Sequence, residues 1–171
     1  MLSACGGDDD ETNTNNSLLG TWTAISLEGD FDTTVDAAGV STISNVDIAG
    51  SNFAYEVTFT DDSFTTAGAY DITTTATVNN IPTTPSTSNY TGVSGNGTYT
   101  TAANVITITG SFYDFSQDGI DLSAFGGEQM ANFEINADGQ LTISQDEEVS
   151  SSQLGVNTTT QIVTKSVWER K

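Results

Sequence analysis

Apolar and polar residues alternate along most of this chain with a period of two, the spacing of strands whose successive side chains face opposite ways. The cleanest run lies at residues 53–60. Phe53, Tyr55, Val57 and Phe59 share one face, and Ala54, Glu56, Thr58 and Thr60 share the other. Thr60-Asp61-Asp62-Ser63 reads as a tight turn into Phe64, so a hairpin is expected there. The returning strand sets Tyr70, Ile72, Ala76 and Val78 against Asp71, Thr73, Thr75 and Thr77. Residues 97–100 pair with 105–109 across Ala103-Asn104. Residues 129–137 pair with 140–145 across Asp138-Gly139, a sequence suited to a two-residue turn.

The ends of the pattern are less regular. The first strand is predicted over residues 18–28, with Gly29-Asp30 as its turn, and the last over residues 158–169. Within residues 31–51, Val40, Ile43, Val46 and Ile48 mark either a short strand or an irregular loop. Residues 79–89 hold both prolines, Pro82 and Pro85, and read as a loop or a wide hairpin end. Residues 120–125 have room for one helical turn, and no longer helix is expected. About eight antiparallel strands, each with one apolar face, must close into a barrel or stack as a sandwich to hide that face.

Composition sets the boundaries of this domain. Residues 1–17 offer little to bury and carry Gly6-Gly7-Asp8-Asp9-Asp10-Glu11, so they are expected to form a disordered acidic linker. Residues 18–171 suffice for one all-β domain. The body is rich in Thr, Ser and Gly, and only 15% of the chain is charged. Thr suits strands because its β-branched side chain fits a pleated surface.

Charge then narrows the function. There are 23 acidic and three basic residues, for a net charge of −20, and Lys165, Arg170 and Lys171 all lie near the C-terminus. Phosphate contacts need Lys or Arg, so neither nucleic acid nor a basic-patch membrane contact is expected. Self-repulsion keeps copies apart, and a monomer is expected. With no His and a single Cys, the chain lacks Ser-His-Asp and Cys-His nucleophiles, His-ligated zinc and any internal disulfide.

Candidate chemistry is sparse. Glu56, Asp61, Asp62, Asp71 and Glu134 are the carboxylates available for glycosidase-type work, yet they fall in turns or opposite the aromatic face, and no enzyme activity is expected. Asp114-Phe115-Ser116-Gln117-Asp118-Gly119-Ile120-Asp121 partly matches a calcium loop, with Asp114, Asp118 and Asp121 as the candidate ligands. Its twelfth position is Phe125 rather than an acid, so an acidic surface loop is the stronger reading and no cofactor is expected. Phe53, Tyr55, Phe59, Phe64, Tyr70, Tyr99, Phe112 and Phe133 either fill a barrel or line a cavity for a small hydrophobic ligand.

Two short motifs resemble known families. Leu2-Ser3-Ala4-Cys5 resembles the lipobox of bacterial lipoproteins, which implies a lipid on Cys5 and anchorage to a membrane. Together with the Gly pair and acidic run that follow, it is similar to the leader of Bacteroidetes lipoproteins, a resemblance that implies an outer-membrane protein exported to the cell surface. Gly20-Thr21-Trp22 resembles the Gly-x-Trp signature of lipocalin and calycin barrels. In that family a basic residue from the last strand packs on the Trp, which implies Arg170, with Lys165 as the second match. The resemblance covers residues 18–171 and implies an up-and-down barrel that binds a small hydrophobic ligand. The other reading is an accessory surface lipoprotein whose barrel is filled and whose loops bind protein or carbohydrate.

Overall fold

The computed structural model describes residues 18–110, 112–113, 116–117, 120–121 and 128–171. The strands are β1 Gly20–Ala37, β2 Val40–Phe59, β3 Ser63–Val78, β4 Ile81–Pro82, β5 Ser86–Ala102 and β6 Val105–Thr109. They continue as β7 Ser116–Gln117, β8 Ile120–Asp121, β9 Glu128–Ile135, β10 Gln140–Gln153 and β11 Val156–Arg170. Eight of them close an antiparallel barrel in the order β1, β2, β3, β5, β6, β9, β10, β11 and back to β1. The two-residue β4 adds to the edge of β3, and β7 and β8 pair with each other. The expected up-and-down barrel is therefore what forms.

Its strands differ sharply in length. β6 has five residues and β9 has eight, whereas β2 has 20. Among the described residues, only the lower part of the barrel is a complete ring. Above it, β5, β3, β2, β1, β11 and β10 rise as a curved wall. Both chain ends of the barrel, Gly20 and Arg170, sit at the closed end, as do the β2–β3 and β9–β10 turns.

Several boundaries depart from the sequence pattern. β1 runs straight through Gly29-Asp30 and turns at Ala38-Gly39, so residues 31–51 belong to two long strands. Gly29 is there for packing: a Cβ on it would lie 2.8 Å from Ile48 Cγ1. Asn52, expected just before a strand, instead sits at a β-bulge within β2 with φ of 52°. Residues 79–89 contain β4, where Pro82 faces Thr77 on the edge of β3, and the start of β5. Finally, Ile120 and Asp121 are extended rather than helical.

Candidate functional site

The closed end is built around Trp22. The ring is fully buried, and its Nε1 donates to Leu18 O at 2.8 Å. The Arg170 guanidinium lies 4.3 Å from the ring centroid, and its Nη1 donates to Leu19 O at 2.8 Å. A cation over an indole face is attracted by the ring quadrupole. Gly20 has φ of 113°, a conformation that favours glycine, and a Cβ there would sit 3.4 Å from Arg170 Nη1, an ordinary contact. Lys165 instead pairs in register with Glu28 on the outer face.

Inside, the connection after β6 turns into the barrel. Gly110 has φ of 123°, and a Cβ there would lie 2.8 Å from Asn96 O. A Cβ on Gly97 would lie 2.3 Å from Thr109 O and 2.6 Å from Phe64 Cζ. These two glycines let the chain cross β5 closely enough to insert Phe112 and Tyr113. Phe112 packs 4.7 Å from Phe64 and 5.8 Å from Phe59, centroid to centroid. Tyr113 stacks on Tyr55 at 5.5 Å and meets Tyr70 edge-on at 5.6 Å. The Tyr55 hydroxyl donates to Phe112 O, fixing the inserted chain to β2.

The insertion divides the interior. On one side, against β2, β3 and β5, Tyr55, Phe59, Phe64, Tyr70 and Tyr99 are buried in contact with one another or with the inserted rings. On the other side, against β1, β9, β10 and β11, a cavity of about 100 Å³ remains. Leu27, Phe31, Ile48, Ile108, Ile143 and Ile162 give it apolar walls, with Ala131 between them. Its polar groups are Gln129, Gln145, Thr164, Ser166 and Tyr113. Burial holds the Tyr113 hydroxyl well above the ordinary tyrosine range, with the nearby Tyr55 adding to it and Ser166 opposing it. Ser166 Oγ accepts from Trp168 Nε1 at 2.9 Å on the cavity floor.

The eight aromatics expected either to fill the barrel or to line a cavity mostly fill it. Only Phe112 lines this one. Tyr55, Phe59, Phe64, Tyr70 and Tyr99 are core, Phe133 is buried beneath, and Phe53 is half-buried 6.4 Å from Tyr70. The period-two pattern found the inward face, but Phe112 and Tyr113 occupy the space those rings enclose. The aliphatic wall was missed because Leu27, Phe31 and Ile48 fell in or beside the stretch read as turn and loop. Tyr113 gives no periodic signal.

The carboxylates stand outside. Asp61 and Asp62 are exposed in the β2–β3 turn, and they reinforce burial in pushing up Tyr99. Asp71 accepts from Asn52 at 2.6 Å and from Asn89, bonds that lower its pKa. Glu56 pairs with Lys171 at 2.8 Å, and Glu134 is exposed on β9. Asp30, on the outer face, is raised by burial and then by Asp32. Cys5, the acidic linker, Asp114 and Asp118 lie outside the described residues, and of Asp121 only the backbone of β8 is described. Among the described residues, no three His, Cys, Asp or Glu side chains are grouped to hold a metal. Comparison with protein-family models, with curated proteins and with solved structures finds no match for this chain.

Proposed function

We propose that this chain is a lipid-anchored, lipocalin-like barrel of the bacterial cell envelope that takes a small hydrophobic ligand into the cavity beside Phe112 and Tyr113. The observation that carries this reading is the cavity itself. Its walls are aliphatic, its floor offers a few hydrogen-bonding groups, and such a combination suits recognition of an apolar body with one polar end. The anchor is the lipobox at Cys5, which resembles that of outer-membrane lipoproteins. Leu18 lies at the closed end, so a tether running back to Cys5 would leave the rising wall of strands directed away from the membrane.

Native mass spectrometry of the protein, purified without detergent from its own host, tests the ligand. A recurring small apolar molecule supports the reading. Its repeated absence, with no thermal shift from small apolar compounds, contradicts it. Replacing Cys5 by Ser in the full-length precursor tests the anchor: the protein is released from membranes, and a variant that stays bound rules the lipid out.

One observation favours the accessory reading. Ligand pockets are commonly 300–1,000 Å³, and this cavity is about 100 Å³. A barrel filled by its own Phe112 and Tyr113 then serves as a platform, and its loops do the binding. The same mass spectrum separates the two readings.

A further inference from the structure

The inward face of the described strands carries a single charged side chain. In an antiparallel pair, directly opposed residues share a face. Register from Phe31 through Val46, Ala76 and Ile162 therefore identifies the inward positions of the upper wall. On β1 these are Gly29, Phe31, Thr33, Val35 and Ala37, and on β11 they are Val156, Thr158, Thr160, Ile162 and Thr164. On β2 and β3 they are equally uncharged. On β10 they run Ile143, Gln145, Glu147, Val149, and Glu147 stands directly opposite Ile162.

Glu147 is held beside the cavity. Gln145, one of the cavity's polar groups, donates from Nε2 to Glu147 Oε2 at 2.8 Å. Gln145, the next inward residue along β10, and Ile162, directly across on β11, both line the cavity. The carboxylate is exposed on the rim side, one step above the apolar space. No basic residue opposes it: Lys165 pairs with Glu28 on the outer face, and Arg170 and Lys171 lie at the closed end.

Resting on the ligand-binding reading above, we infer that the ligand is a small apolar amine, with its hydrocarbon body in the cavity and its ammonium group on Glu147. An apolar cavity of about 150 Å³ holds a benzene molecule, so about 100 Å³ seats most of one ring and leaves the head group at the rim. At the rim, a cation meets a carboxylate already oriented by Gln145, and the net charge of −20 draws cations toward the surface. A carboxylate ligand meets repulsion there and finds no Lys or Arg inside.

Three isosteres test this on the full chain by calorimetry at low salt: benzylamine, benzyl alcohol and benzoate. The expected order is amine, alcohol, benzoate, with the amine about five-fold tighter than the alcohol. Glu147→Gln should remove most of that preference and leave the alcohol unchanged, while Glu148→Gln, one residue on and facing outward, should preserve it. If the alcohol binds but the amine binds no tighter, or if Glu147→Gln leaves the preference intact, the amine assignment is overturned and the cavity reading stands. If none of the three binds, both fall.

Discussion

The two sides of the Phe112–Tyr113 insertion show how one barrel holds two kinds of interior. Against β2, β3 and β5 stand Tyr55, Phe59, Phe64, Tyr70 and Tyr99, and these rings meet one another or the inserted rings at 4.7–5.8 Å. Around the cavity on β1, β9, β10 and β11 stand Leu27, Phe31, Ala131, Ile143 and Ile162, and space remains. Aromatic side chains bring large area and fixed geometry, so they close a volume with few residues. Branched aliphatic chains of limited reach do not span the same width. The difference lies in which side the inserted chain leans on, and the Tyr55 hydroxyl to Phe112 O bond sets that lean.

The largest effect should come where the two sides meet the closed end. Trp22→Ala removes a fully buried ring that also holds Leu18 and carries Arg170. A loss of about 3–5 kcal/mol is expected from the midpoint of urea unfolding. A loss below about 1 kcal/mol would mean that the ring closes nothing.

Adding a methyl group should separate the two sides by sign. On the aromatic side, Gly97→Ala drives a Cβ onto Thr109 O and Phe64, and we expect a loss of about 1–3 kcal/mol. On the aliphatic side, Ala131→Val grows into the cavity and should stabilise by about 0.5–2 kcal/mol while blocking ligand. Equal losses at both positions would mean that the cavity side is as tightly packed as the other.

The smallest effect concerns Tyr113. Its folded pKa is raised, mainly by burial, so the folded state keeps the phenolic proton to higher pH than the unfolded chain does. Stability from this group is fully present below about pH 10 and is lost as pH rises from there through the folded value. Tyr113→Phe should flatten that alkaline decline in urea midpoints compared between pH 8 and pH 11. An unchanged slope would place the hydroxyl in water.

Much of the barrel is legible in the sequence. Asp138-Gly139 and Thr60 to Ser63 announce their turns, and the alternation from Phe53 onward assigns the inward face. Gly29-Asp30 misleads because a glycine needed for close packing against Ile48 looks the same as one needed for a turn. The inserted Phe112 and Tyr113 are harder still. A period of two reports which face a strand buries, and nothing in it says that a connection will enter the barrel. The local signal was the pair Gly97 and Gly110, whose missing side chains permit the crossing. Glu147 was hidden for a simpler reason: β10 continues to Gln153 past the expected end at Gln145, so the inward series was cut one step short.

On the proposed reading, a small apolar molecule enters on the aliphatic side only. Methyl NMR of the full chain during titration with benzyl alcohol tests it most directly. The methyl groups of Leu27, Ile48, Ile143 and Ile162 should shift together and saturate, while those of Val57 and Ile72 on the aromatic side stay still. Shifts confined to the exposed Val40, Ile81 and Leu154, or no saturable shifts at all, would contradict it.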